Sequence, residues 1–132
     1  MPREFTTKIE VRFRDLDPYA HVNHAVYATY LEQARTRYYK EVFDKLPYEI
    51  DSVIVRLEID YRKPVTIEDT LTVGIELSDI GRSSISRAYT ITNGAETVAE
   101  AKTKQVFIDV ATETSKPVPD DHRAALEAYH FA

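Results

Sequence analysis

The chain has 132 residues, 30% of them charged, with a formal net charge of -5 and no cysteine. That length suits one domain spanning residues 1–132, which can bury roughly 68% of its unfolded surface and fold without staples. The missing cysteines exclude a disulfide framework, a thiolate nucleophile and a thiolate metal site. The acidic balance argues against a nucleic-acid partner, because phosphate binding is dominated by clustered Lys and Arg. Residues 1–8 lack an apolar leader and no uninterrupted apolar run is long enough to span a bilayer, so a cytoplasmic protein with no membrane partner is expected.

Residues 7–13 alternate, with Ile9, Val11 and Phe13 on one side and Lys8, Glu10 and Arg12 on the other, the pattern of a half-buried strand. The chain then reads D-L-D-P-Y-A-H-V-N-H-A-V-Y over residues 15–27. Asp17 precedes Pro18, which disfavours a helical conformation there and leaves the Asp extended in a turn. Asn23 is a good N-cap for a helix over residues 24–43. Val26, Tyr27, Tyr30, Leu31, Ala34, Tyr38 and Val42 recur at spacings of three and four, so one helix face is buried and the tyrosines read as core. Pro47 closes the element.

Four further strands are expected. Residues 52–62 place Val53, Val55, Leu57, Ile59 and Tyr61 on one face, and residues 70–78 turn Leu71, Val73, Ile75 and Leu77 inward. Residues 84–92 carry Ile85, Tyr89 and Ile91, and Asn93-Gly94 is a strong hairpin signal. Residues 97–110 change phase between Ala101 and Val106, which predicts a bulge there. A short helix over residues 121–129 follows Pro117 and Pro119, with no role assigned by sequence.

A twenty-residue helix is about 30 Å long and about 10 to 12 Å wide, whereas five strands spaced about 4.8 Å apart form a sheet roughly twice that width. One helix covers such a sheet only if the sheet curls round it, and flanking apolar surface then remains for at least a second copy. A ferredoxin-like monomer would need a second long helix within residues 51–110, where no candidate lies.

The chemistry concentrates where the helix begins. The first backbone N–H groups of a helix, here including those of His24 and Ala25, have no intrahelical acceptor and sit at the positive end of its dipole. A carboxylate close by, Asp17, is placed to attack a carbonyl or to activate water against one whose oxygen those groups hold, the logic of acyl transfer. Asp15, Asp17, His21 and His24 follow no strong metal-ligand spacing and are read without a metal.

The run D-x-D-P-x-x-H-V-N-x-x-x-Y, followed by a helix, resembles the hotdog-fold acyl-CoA thioesterases of the hydroxybenzoyl-CoA thioesterase type. Element order agrees over nearly the whole chain, while the motif residues are confined to residues 15–32. The resemblance implies an α+β hotdog fold, a five-stranded antiparallel curled sheet wrapped around one long central helix. It also implies an acyl-CoA substrate, no cofactor, and a homodimer or homotetramer. Asp17 takes the place of the catalytic carboxylate, as nucleophile or general base, and the His24 backbone N–H that of the oxyanion donor. Asn23 fixes the cap, and His21 and Tyr27 join the site. Plant acyl carrier protein thioesterases resemble this segment through Asp17 and His21, but Tyr19 stands where they carry a catalytic Asn.

For the CoA nucleotide, Arg62, Lys63, Arg82 and Ser83 offer cations and turn N–H groups. Arg56 and Arg87 are further members of a candidate basic patch, each more ordinary as a solvated strand residue. Asp15 and Glu32 are weaker site candidates. A non-catalytic acyl-CoA binding module, which has no need of Asp17, and a hotdog enoyl thioester hydratase are the rival functions.

Overall fold

Apolar alternation sorts the chain into its layers. In the computed structural model, which describes residues 2–131, one antiparallel sheet contains β1 (Phe5–Glu10), β2 (Ser52–Tyr61), β3 (Thr70–Ile80), β4 (Ser84–Asn93) and β5 (Glu96–Asp109), adjacent in the order β1-β3-β4-β5-β2. A two-residue strand, β6 (Thr114–Ser115), pairs with the end of β5. The sheet curls round α1 (Val26–Phe43), and α2 (Asp120–Phe131) packs against α1 and β3.

The core lies between α1 and the inner sheet face. Tyr27, Tyr30, Leu31, Ala34 and Tyr38 of α1 are buried against Ile9, Leu71, Val73, Ile75, Ile85, Tyr89 and Ile91. Phe5 meets Tyr38 edge to face at 5.5 Å between ring centroids, a favoured aromatic geometry. The predicted Asn93-Gly94 hairpin joins β4 to β5, with Gly94 at φ 61.

Four expectations change. Phe13, placed inward by alternation, belongs to a 3-10 turn (Phe13–Asp15) after β1 has ended and is 85% exposed. In β5 the inward set continues without a phase change through Ala99, Ala101, Thr103, Gln105 and Phe107. The polar Thr103 and Gln105 hide that alternation in sequence, and the pairing irregularity falls at Val98 instead, between the Ile91–Ala99 and Thr92–Thr97 pairs. In β2 the register skips Val55, so Ile54, Leu57, Ile59 and Tyr61 pair with Gln105, Thr103, Ala101 and Ala99 and share their inner face. Arg87, read as a candidate for a solvated basic patch, is fully buried on the inner face of β4.

The C-terminal helix acquires a role. Leu126 is fully buried, the Tyr129 hydroxyl donates to Glu41 at 2.8 Å, and His130 Nε2 meets the Tyr38 hydroxyl at 2.7 Å. The Arg3 N–H donates to the His130 carbonyl at 2.7 Å. α2 therefore caps the open end of the core and ties the N-terminal segment to it. β2 is the opposite case: it is a sheet edge, and Val53, Ile54, Val55, Leu57 and Tyr61 are all exposed large apolar residues.

Candidate active site

Asp17 is held by the loop that it opens. Its Oδ1 accepts the backbone N–H groups of Tyr19 at 2.9 Å and His21 at 3.3 Å, and its own N–H donates to the His21 carbonyl at 2.8 Å. Among the described residues Oδ2 has no hydrogen-bond partner. The loop closes through Ala20 at φ 63, in the left-handed region. That conformation costs an L-residue about 1–2 kcal/mol, of which glycine returns part through its freer unfolded chain. Ala20→Gly is expected to stabilise the fold by about 0.5–1 kcal/mol; a lower urea midpoint for the variant would contradict this.

Asn23 caps the entry turn rather than the helix itself, whose N-cap is Ala25, and this changes which amides are free. Its Oδ1 accepts the Ala25 N–H at 2.9 Å, while the carbonyls of Asn23 and His24 accept the N–H groups of Val26 and Tyr27 at 2.9 and 3.4 Å. These i to i+3 bonds make a tight entry turn, so regular α1 begins at Val26 rather than at residue 24. The Ala25 amide is consequently occupied. The His24 N–H has no acceptor among the described residues.

Two anchors set this turn. The Tyr61 hydroxyl, at the end of β2, donates to the His24 carbonyl at 2.8 Å, and its ring stands edge to face on Tyr27 at 4.9 Å. Asp15, a weak candidate from sequence, is buried and structural: its carboxylate accepts the Arg12 backbone N–H at 2.9 Å, the Arg12 guanidinium at 2.9 Å and the Tyr30 hydroxyl at 2.7 Å. Burial opposes its charge, but the Arg12 and Tyr30 bonds outweigh it and hold the carboxyl below its ordinary range. Through its carbonyl, Asp15 also accepts the Asn23 N–H at 2.9 Å.

A cleft of about 370 Å³ joins these pieces, lined by Asp17, His21 and His24 from the loop, Tyr27 from α1, and Tyr61, Arg62 and Lys63 from the end of β2. Arg62 pairs with Glu100 at 2.9 Å and Lys63 with Glu96 at 2.8 Å, all half-exposed. Arg82 and Ser83 do not reach this cleft. They sit in the β3–β4 turn beside Val106 and Phe107, whereas Tyr61 pairs with Ala99, so seven residues of strand, about 23 Å, separate the two ends. Glu32 lies on the exposed flank of α1, outside this cleft. A larger depression of about 590 Å³ beside α1, lined among others by Glu10, Arg12, Glu32 and Arg37, does not include Asp17 or His24. No group of three or more His, Asp or Glu side chains among the described residues is arranged to hold a metal ion, and no helix there is long and apolar enough to cross a membrane.

Comparison with known proteins places the chain in a family. The family model described as the thioesterase-like superfamily matches residues 11–126. The chain is 34% identical over 126 residues to the long-chain acyl-CoA thioesterase FadM of Escherichia coli (strain K12), covering 92% of this chain and 96% of that one. A thioesterase from Thermus thermophilus, solved in complex with coenzyme A and Zn, superposes with a TM-score of 0.87 at 33% identity over 94% of this chain and 92% of its own. The fold is shared at 20% identity by Slr0204, a 1,4-dihydroxy-2-naphthoyl-CoA thioesterase from Synechocystis, with a TM-score of 0.84 and 94% and 96% coverage. The chain belongs to the thioesterase-like superfamily and has its hotdog fold.

Proposed function

We propose that this enzyme hydrolyses acyl-CoA thioesters, with Asp17 supplying the reactive electron pair and the His24 N–H receiving the carbonyl oxygen. The observation that carries the proposal is one cleft lined by both Asp17 and His24, whose Oδ2 and backbone N–H respectively have no hydrogen-bond partner among the described residues. Similarity to an acyl-CoA thioesterase and to a thioesterase holding coenzyme A supports the substrate class.

In this mechanism the two loop amides on Oδ1 aim the carboxylate and leave Oδ2 to act. Oδ2 either attacks the thioester carbon, giving an anhydride that water then opens, or takes a proton from water as that water attacks. In both routes negative charge develops on the carbonyl oxygen, where the His24 N–H, held by the Asn23 cap and the Tyr61 bond to the His24 carbonyl, stabilises it. The C–S bond breaks, CoA leaves as a thiolate that takes up a proton, and the acyl group leaves as a carboxylate. Arg62 and Lys63, at the cleft rim, exchange their surface carboxylate partners for CoA phosphates. Exposed ion pairs of this kind are worth little, so the exchange costs little.

Assembly follows from the same strand. β2 offers an unpaired edge with five exposed apolar side chains, a surface that proteins cover or pair, and two copies joined there form a homodimer. The test is thioester hydrolysis over short, long and aromatic acyl-CoAs, followed by a thiol-reactive dye, with the active species sized by gel filtration. Release of CoA is expected from a species of twice the 15.2 kDa chain mass. Binding of acyl-CoA without release across the whole panel would identify a binding module instead, and activity in a monomer fraction would remove the dimer.

A further inference from the structure

The inner face of the fold holds a cation that the thioesterase mechanism does not use. Arg87 is fully buried, and among the described residues its Nε and Nη2 groups have no hydrogen-bond partner and no carboxylate lies at ion-pair distance. The Tyr38 and Tyr39 rings flank the guanidinium at 5.0 and 5.6 Å. Nη1 donates to Gln105 Oε1 at 2.5 Å, and Gln105 Nε2 donates in turn to Ser52 Oγ at 2.6 Å.

The direction of this relay is forced. A guanidinium only donates, so the Gln105 oxygen must accept and its amide must donate onward. Ser52 Oγ, having accepted, keeps its own proton, which has no acceptor among the described residues. A chain of bonds that starts on a buried cation polarises its members in one sense. It therefore ends in a hydroxyl donor biased towards an electron-rich oxygen.

Ser52 opens into a pocket of about 310 Å³ between α1 and the start of β2, together with Arg35, Tyr39, Ile54 and Glu32. Arg35 makes no ion pair among the described residues, and Glu32 is the one carboxylate on the lining. Two guanidinium groups, one direct and one acting through the relay, thus outweigh one carboxylate. The pocket and the candidate active-site cleft lie at opposite ends of the same strand, β2. Tyr61, Ile59, Leu57 and Ile54 share one face of β2, so apolar side chains run along the strand between Tyr61 on the Asp17 cleft and Ile54 on the Ser52 pocket. From His24 to Arg35 the axis of α1 advances about 16 Å.

We propose that this groove takes a long acyl group whose far end carries a carboxylate, received by the Ser52 hydroxyl and Arg35 while the thioester lies at Asp17. The proposal rests on the thioesterase reading and names the substrate class for it. Copies joined along β2 would roof the same groove.

The test compares hexadecanoyl-CoA with its ω-carboxy counterpart on wild type, Ser52→Thr and Ser52→Val. The two replacements have the same shape on a strand, and only Thr keeps the donor. For wild type and Ser52→Thr, kcat/KM is expected to favour the ω-carboxy substrate about tenfold, since a site built to hydrogen-bond an oxygen discriminates against its absence, and in Ser52→Val the ratio is expected to fall to near one. A wild-type ratio near one, or an equal fall in the Thr and Val variants, would overturn the proposal. The same order is expected for binding of the two S-alkyl thioether analogues, measured by calorimetry, which requires no turnover. An inert enzyme that still shows the binding preference would sink the thioesterase reading alone, and turnover without the preference would sink the carboxylate pocket alone.

Discussion

Replacing Asp17 by Asn is expected to lower kcat for acyl-CoA hydrolysis by about 10³-fold, roughly 4 kcal/mol of barrier, while the melting temperature stays close to that of wild type. The two effects separate because the two oxygens of Asp17 have different partners. Oδ1 accepts the Tyr19 and His21 N–H groups, and an Asn side-chain oxygen accepts the same two bonds, so the turn survives. Oδ2 becomes an NH₂ group with no electron pair to give to carbon or to a proton. Neighbouring imidazoles do not substitute for it: His21 and His24 are both exposed, and no bond from either ring to Asp17 exists among the described residues. Undiminished hydrolysis by the Asn variant would remove Asp17 from the mechanism. For an active wild type, a single turnover in oxygen-labelled water tests the covalent route: label in the Asp17 carboxyl means attack by Oδ2 with water opening the anhydride at the Asp17 carbon, whereas label only in the product is given both by activated water and by an anhydride opened at the acyl carbon.

Asp17, His21, His24 and Tyr27 were legible because all four lie within eleven residues, where proline, an N-cap and a helix period fix the geometry locally. Which helix amide stays free was not legible. That depends on the Asn23 side chain choosing the Ala25 N–H, a rotamer-level event inside a tight turn. Tyr61 appeared in sequence only as one more inward strand residue; its bond to the His24 carbonyl follows from long-range pairing that carries the end of β2 over the start of α1. Arg82 and Ser83 looked equivalent to Arg62 and Lys63 as turn residues, but an antiparallel hairpin sends successive turns to opposite ends of the sheet. The largest departure comes where the inner face is not apolar. Arg87, Thr103 and Gln105 are buried, and hydrophobic patterning assigns such residues outward or inserts a bulge. Arg87 and Gln105 lead to Ser52 on the second pocket, whereas Thr103 meets the Tyr89 hydroxyl at 2.7 Å.

A buried imidazole should make the fold acid-sensitive. His122 of α2 stacks on Phe43 at 3.8 Å between ring centroids and meets Phe107 edge to face at 4.8 Å, and its Nε2 has no partner among the described residues. Burial first, then the cations of Arg87 and Lys45, push its pKa down from 6.5 to about 4, with Asp121 opposing weakly. The folded state therefore prefers the neutral ring, while the unfolded chain takes up a proton as soon as pH drops below the ordinary value. The stability that His122 contributes is complete above pH 6.5, declines as pH falls, and is gone near pH 4. A shift of this size corresponds to about 3 kcal/mol over the window. His130 acts in the same direction, since burial lowers its pKa against the pull of the Arg3 carbonyl. Urea unfolding of wild type between neutral pH and pH about 4.5 is expected to lose most of that amount. His122→Phe fills the same aromatic slot without a titrating group, so its stability should fall much less over the same range and should not drop below wild type at neutral pH. Parallel pH profiles for the two proteins would place the acid-sensitive group elsewhere.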